Sequence, residues 1–95
     1  VICHGPYRPL PPGRIRVTFD LEKVSEQSAE LKFKFGADQG ASIFHQEKRR
    51  LSASERKCRL HFDLQIDHAV EDFEVVVICP ENVLLGVKEI AIELL

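Results

Sequence analysis

The chain has 95 residues and a mass of 10.8 kDa, so it can bury one modest core, which argues for a single domain and against a multidomain enzyme with a separate substrate lobe. Apolar residues make up 44% and charged residues 29%, which is the composition of a globular domain. The net charge of −2 does not indicate binding to nucleic acid or to a membrane surface. Residues 1–59 nevertheless carry twelve Lys/Arg and seven Asp/Glu, whereas residues 60–95 carry one and eight.

The ends and the cysteines of the chain bear on its cellular setting. The chain begins at Val1 and contains no apolar stretch of the ~18 residues that a membrane span needs, so we expect a piece of a longer protein. Cys3, Cys58 and Cys79 are too few and too widely spaced for a disulfide-rich scaffold or a zinc site. We therefore predict a reducing, cytoplasmic setting. The alternative is an extracellular sandwich in which Cys58 and Cys79 form a disulfide and Cys3 pairs with a neighbouring module.

The first half of the chain changes from a proline-rich segment to alternating strands. Residues 1–13 hold four of the five prolines and are predicted to be a linker or an extended arm. From Arg14 to Leu21, apolar and polar side chains alternate, which is typical of a half-buried strand. A second strand is predicted at 31–35, before a glycine-rich turn at 36–40, and a third at 41–46.

The second half is also dominated by strand patterns. Residues 47–57 are predicted to be a loop or a charged edge, and 57–66 alternate perfectly. Residues 73–79 are nearly continuous in apolarity, which favours a central strand that ends at Pro80. The segment 87–95 fits either a helical stripe or a strand, and its isoleucines together with Gly86 favour the strand. These elements predict one all-β domain over residues 14–95, an antiparallel β-sandwich.

Three features of residues 56–95 suggest a family. An apolar run centred on Phe62 comes first, an acidic reversal then leads to an alternating strand from Phe73, and Leu85-Gly86 precedes a closing strand at 90–94. With 13–24 as the opening strand, the chain resembles a C-two domain, which implies a lipid- and protein-binding sandwich. An immunoglobulin-like or fibronectin-like topology is the alternative. Calcium-binding members of that family use clustered aspartates, whereas residues 79–84 contain none, so the resemblance is to a calcium-independent type.

Six side chains form a candidate ligand-binding face. All occupy outward positions of predicted strands: Arg14, Arg16, Lys32, Lys34, Arg59 and His61. If these strands are neighbours, the side chains form a basic face that suits phosphoinositide headgroups or an acidic protein segment. The alternative is that they are ordinary solvated charges that protect strand edges.

Two short motifs predict further interactions. The run Arg49-Arg50-Leu51-Ser52 resembles a site for basophilic protein kinases, and phosphorylation of Ser52 would remove a basic patch. Pro9, Pro12 and Arg14 have the spacing of a Src-homology-three ligand of the type Pro-x-x-Pro-x-Arg. The alternative for the second motif is a linker that runs directly into the first strand.

The sequence predicts no catalytic residue, no cofactor and no metal site. The four histidines lie on different predicted elements, and no motif for a nucleophile or a phosphate-binding loop occurs. His61 and His68 lie near Asp63 and Asp67, but on a strand and a turn rather than on one face. We therefore expect a non-enzymatic interaction module that binds a protein partner, an adjoining domain or anionic phospholipid headgroups, and not nucleic acid. The alternative is an extracellular structural sandwich, fibulin-like or fibronectin-like, in matrix or receptor assembly.

Overall fold

The computed structural model describes residues 6–37, 42–81 and 83–95. Those residues form seven strands and no helix, and the strands are β1 (Pro6–Leu10), β2 (Gly13–Lys23), β3 (Ala29–Ala37), β4 (Ser42–Leu51), β5 (Lys57–Ile66), β6 (Val70–Ile78) and β7 (Leu85–Leu94). All pairings are antiparallel, in a four-stranded sheet of order β1-β6-β3-β4 and a three-stranded sheet of order β5-β2-β7. The predicted fold class, an antiparallel β-sandwich, is confirmed.

The core lies between the two sheets and follows from the period-two alternation of their strands. The inner side chains of β2 and β3 are almost fully buried, and four phenylalanines from three strands meet at the centre: Phe19, Phe33, Phe35 and Phe62. Their ring centroids lie 4.7–6.2 Å apart, within the range of favourable aromatic contacts. This cluster joins the middle of one sheet to the middle of the other.

The predicted strands are present, and several have longer or shifted bounds. The strands predicted at 14–21, 31–35 and 57–66 correspond to β2, β3 and β5. The strand predicted at 73–79 is β6, which lies between β1 and β3 as a central strand should, and the segment 87–95 is the strand β7. The charged stretch 47–57 divides, because 47–51 continue β4 as an edge strand and 52–56 form a loop.

The proline-rich segment differs from the predicted linker or arm. Residues 6–10 form β1, which pairs with β6 through two register irregularities. Proline lacks the N–H that a central strand needs, and an edge strand tolerates that loss. Leu10 is only 6% exposed and belongs to the core, which fixes the segment against the sandwich. Gly13 then takes a φ of +134°, in the region that favours glycine, as the chain passes to the other sheet.

Some predictions fall on residues that the structure does not describe. Cys3, His4, residues 38–40 of the predicted turn and the first residue of the strand predicted at 41–46 lie outside the described ranges. Within those ranges, Cys58 and Cys79 are both free thiols and partly buried. The described residues also include no helix that is long and apolar enough to cross a membrane.

Candidate binding surface

The outer face of the three-stranded sheet holds four of the six predicted ligand-binding residues, Arg14, Arg16, Arg59 and His61. Arg16 forms a two-point ion pair with Asp63 on the opposite strand, at 2.8 Å from Nε to Oδ1 and 3.2 Å from Nη2 to Oδ2. The two N–H groups of Arg16 that form this ion pair are therefore not available to an external anion. Hydrogen bonding from Arg16 holds the pKa of Asp63 below its ordinary value.

The second arginine of this face is engaged in the same way. Arg59 binds Asp20 with Nε to Oδ1 at 2.7 Å and Nη2 to Oδ2 at 3.3 Å, and this hydrogen bonding lowers the pKa of Asp20. Between the two pairs, His61 Nδ1 and Thr18 Oγ1 are 2.9 Å apart. The face as a whole presents as many carboxylates as cations: Arg14, Arg16, Lys57, Arg59 and Lys88 against Asp20, Glu22, Asp63, Glu89 and Glu93. It is charge-balanced rather than basic.

The other two predicted residues lie on the opposite side of the molecule. Lys32 and Lys34 point outward from β3, which belongs to the four-stranded sheet. The six residues therefore do not share one face, because β2 and β3 follow each other in the chain but belong to different sheets. Alternation assigns a side chain to the inner or the outer side of its strand, and says nothing about which sheet the strand joins.

A different set of cations gathers around Lys32 and Lys34. The register pairs Lys32 with Lys48 and Glu30 with Arg50, so that β3 and β4 place Lys32, Lys34, Lys48 and Arg50 on one outer surface, which we call the β3–β4 basic cluster. Within this cluster, Lys48 Nζ forms an ion pair with Glu30 Oε1 at 3.7 Å, and the Lys48 side chain is still 67% exposed. Like charges placed opposite each other on neighbouring strands destabilise a sheet unless an anion is nearby.

An apolar groove borders this basic cluster. Lys34, Ile43, Glu74, Val76 and Ile78 line a shallow depression of about 230 Å³, with Gly36 between them. Ile43 is 48% exposed, so the depression presents apolar surface to solvent. The outer surface of the four-stranded sheet thus combines cations with exposed apolar atoms.

The inner side of β4 is polar, and it closes one side of the sandwich. His45 and Arg49 both bond the carboxylate of Glu47, and the Arg49 guanidinium lies 4.7 Å from the centre of the Phe62 ring. Hydrogen bonding from His45, with a further contribution from Arg49, lowers the pKa of Glu47. Arg49 also donates from Nη2 to the carbonyl oxygen of His61 on β5 at 3.5 Å. These side chains cover the core rather than form a binding site.

A buried lysine that the sequence reasoning missed joins two loops at one end of the sandwich. Lys23 is 2% exposed, and its Nζ donates to the carbonyl oxygens of Ser25 at 2.8 Å and Ala53 at 3.2 Å. It occupies the next inner position of β2 after Leu21, which is the last residue of the predicted apolar alternation. The sequence signal was the continuation of the period-two pattern from Leu21 to Lys23.

The motif around Ser52 is only partly accessible. Ser52 is exposed, its amide donates to Glu55 Oε1 at 2.8 Å, and its Oγ lies 3.2 Å from Ser54 Oγ. Arg49, however, is turned inward on Phe62 and paired with Glu47. Phosphorylation of Ser52 stays a prediction, and recognition of Arg49 by a kinase would require β4 to open at its end.

The proline motif spans the passage between the two sheets. Pro9 lies in β1, Pro12 follows it, and Arg14 lies in β2 opposite Gln65. All three are exposed. A polyproline II helix needs negative φ values, whereas Gly13 has +134°, so binding of a Src-homology-three domain stays a prediction that requires this passage to refold.

Among the described residues, no group of three or more His, Cys, Asp or Glu is placed to hold a metal ion. His68 lies edge-on to Phe44 at 6.4 Å between ring centroids. Burial raises the pKa of the Cys58 thiol, which lowers its nucleophilicity at neutral pH. The chain matches no protein-family model, no curated protein and no solved structure.

Proposed function

We propose that the chain is a non-enzymatic interaction module of a larger protein, and that its β3–β4 basic cluster binds an acidic segment of a protein partner. The observation that carries this proposal is the pairing of Lys32 with Lys48 on neighbouring strands, where Lys48 forms an exposed ion pair with Glu30. On the opposite face of the sandwich, Arg16 and Arg59 are already paired with carboxylates, so these cations are less available to an external anion.

The chemistry of the cluster suits carboxylates presented along an extended chain. Arg50 offers a planar fork of donors and the lysines offer flexible point charges, and both bind carboxylate oxygens strongly. Adjacent strands lie about 4.8 Å apart, so the cations form a grid that alternate acidic side chains of an extended segment can meet. Because the cations are exposed, the affinity should fall as salt concentration rises.

An anionic membrane surface is the second candidate ligand. Ile43 and Lys34 line the same groove, and an exposed apolar side chain beside cations is what an anionic lipid surface binds. This candidate agrees with the resemblance to a calcium-independent C-two domain, which we keep as part of the proposal. The free thiols Cys58 and Cys79 support a reducing, cytoplasmic setting, whereas the extracellular alternative requires them to form a disulfide.

A charge-reversal experiment tests the proposal. The affinity of a fluorescein-labelled oligoglutamate peptide is measured by anisotropy for the wild type, for Lys32→Glu/Lys34→Glu, and for Arg14→Glu/Lys57→Glu. The two variants change the net charge equally, but only the first alters the β3–β4 basic cluster. We expect the first variant to lose at least about tenfold in affinity and the second to stay near the wild type.

The same three proteins are then sedimented with phosphatidylcholine vesicles, with and without phosphatidylinositol bisphosphate. Binding to the lipid but not to the peptide would assign the cluster to membranes. Equal losses in both variants, or no binding of either probe, would refute the proposed binding surface.

A further inference from the structure

The four edge strands of the sandwich are not equally protected against pairing with another strand. β1 has only five residues and two register irregularities. β4 turns His45, Glu47 and Arg49 toward the core side, and inward charges of this kind prevent edge-to-edge pairing. The free edge of β5 is partly covered, because the carbonyl oxygen of His61 accepts a hydrogen bond from Arg49.

β7 has none of these protections along its second half. It is ten residues long, it is the last strand of the three-stranded sheet, and no strand of the described residues lies beyond it. Its inner side chains Val87, Ile90 and Ile92 pack against the core but remain partly exposed, and Leu94 is 64% exposed. Long edge strands with apolar side chains are templates for pairing with another chain.

The strand counts of the two sheets explain this exposure. Arg49 on β4 lies over Phe62 of β5, and Phe33 of β3 lies 5.0 Å from Phe19 of β2, so these strands face each other in pairs. The strand orders of the two sheets extend this pairing across the sandwich, which places β6 opposite β7 and leaves β1 without a counterpart in the three-stranded sheet. A fourth strand beside β7 would face β1 and cover the half-exposed side chains.

The backbone of β7 is oriented to accept such a strand. Leu95 donates its amide to the carbonyl oxygen of Arg14 at 2.9 Å, in the register that pairs Leu94 with Ile15. Hydrogen-bonded pairs alternate with non-hydrogen-bonded pairs along an antiparallel ladder. Glu89, Ala91 and Glu93 therefore direct their N–H and C=O groups to β2. Ile90, Ile92 and Leu94 alternate with these residues and direct their N–H and C=O groups to the free edge.

An independent contact supports this assignment. The amide of Lys23 donates to the carbonyl oxygen of Arg56 at 2.7 Å on the other side of β2. By the same alternation, Phe19 and the other inner residues of β2 bond β5, which leaves the even-numbered residues of β2 for β7. The two hydrogen bonds give one consistent pattern across all three strands.

We propose that the free edge of β7 binds an extended partner segment in which basic and apolar residues alternate, and that this segment becomes the fourth strand of the sheet. The backbone groups of Ile90, Ile92 and Leu94 pair with the segment, and its apolar side chains cover the inner face. The charge of the partner follows from Glu89 and Glu93, which lie on the outer face about 13 Å apart.

The charge complementarity is specific to these two carboxylates. Arg59 and Arg16 attract Glu89 and Glu93 across the sheet, but both guanidinium groups are held by other carboxylates in two-point ion pairs. Glu89 and Glu93 are therefore available to basic side chains at alternate positions of an added strand. A second copy of this chain fits less well in the antiparallel register centred on Ala91, because that register places Glu89 opposite Glu93.

Amide hydrogen exchange on the full chain tests the edge directly. In the free protein we expect the amides of Ile90, Ile92 and Leu94 to exchange rapidly, and those of Glu89, Ala91 and Glu93 to be protected. An alternating lysine–valine peptide should slow exchange of the first set. A peptide of the same composition with its lysines and valines in two blocks should not do so, nor should an alternating glutamate–valine peptide.

Charge-reversed variants test the partner chemistry. Glu89→Lys/Glu93→Lys should weaken binding of the lysine–valine peptide at least about tenfold and gain binding of the glutamate–valine peptide. Glu71→Lys/Glu81→Lys changes the net charge equally at exposed positions away from β7 and should bind as the wild type does. Lys32→Glu/Lys34→Glu should also retain this peptide, which separates the inference from the proposed function.

Three outcomes would overturn the inference. The first is protection of the Ile90, Ile92 and Leu94 amides in the free protein. The second is equal loss of peptide binding in the two glutamate variants. The third is a dimer in light scattering whose formation protects those same amides, since a second copy would then occupy the edge.

Discussion

Replacement of Phe19 by leucine tests whether the aromatic cluster holds the two sheets together. Phe19 is fully buried, and its ring lies 5.0 Å from Phe33, 6.2 Å from Phe35 and 5.7 Å from Phe62. Phe19→Leu keeps most of the apolar volume but removes all three ring contacts. We therefore expect it to weaken the packing between the sheets without opening a large cavity.

The magnitude follows from the number of ring contacts. Each aromatic pair contributes about 0.5–1.5 kcal/mol beyond the burial of its area, and contacts within one cluster are not additive. We expect Phe19→Leu to lower the free energy of unfolding by about 2 kcal/mol. For a domain of this size, that corresponds to a fall in Tm of roughly 8–16 °C. The variant should still fold, because domains of this length are stable by about 5–14 kcal/mol.

Urea denaturation followed by far-ultraviolet circular dichroism measures the effect. The control is Thr18→Ala, because Thr18 neighbours Phe19 but points outward, where it contacts the exposed His61. We expect the control to change the unfolding free energy by less than about 0.5 kcal/mol. Equal effects of the two substitutions would refute the assignment of inner and outer faces. An effect of Phe19→Leu below about 0.5 kcal/mol would refute the role of the cluster.

Three further predictions concern titration, thiol chemistry and the buried lysine. The ion pairs lower the pKa values of Asp20 and Asp63, so they stabilise the fold above about pH 4 and lose this effect as the pH falls through the lower native values. Asp20→Asn/Asp63→Asn should therefore show a smaller loss of Tm on acidification than the wild type, and an unchanged acid limb would contradict this. Because burial raises the pKa of Cys58, iodoacetamide should label it slowly at neutral pH in the native protein and fast in urea; a thiol that never reacts without reductant would indicate a disulfide. Lys23→Met should cost about 1–3 kcal/mol of unfolding free energy, since two partly buried carbonyls lose a charged donor, whereas Lys57→Met at an exposed position should have little effect.

The strands β2, β3 and β5 could be predicted from the sequence because each has one solvent-exposed and one buried face. In β2 and β5, ten successive positions pair in register without interruption, so the period-two pattern is unbroken. β1 could not be predicted in this way, since its prolines indicate irregular backbone. Its place in the sheet depends on Leu10 reaching the core and on the edge position, which are tertiary features.

The candidate binding surface was harder to predict than the fold, because the composition of a surface depends on which strands become neighbours. The sequence placed Lys32 correctly on an outer face, but its neighbours in space are Lys48 and Arg50, from a stretch expected to be a loop or a charged edge. Arg16 was also placed correctly outward, but it is neutralised by Asp63, 47 residues away. The charge of a surface is thus set by sheet topology, which the pattern of a single strand does not contain.

The helical appearance of the last segment has a physical explanation in the same terms. Val87 pairs with Leu21, Ile90 pairs with Phe19, and a register shift lies between these pairs. The extra residue places Lys88 and Glu89 both on the exposed side, so two inner residues are separated by three positions, which is the spacing of a helix face. Beyond the shift the alternation is regular. The irregularity therefore confines the apolar, unprotected part of the β7 edge to the half that carries Glu89 and Glu93, where we place the added strand.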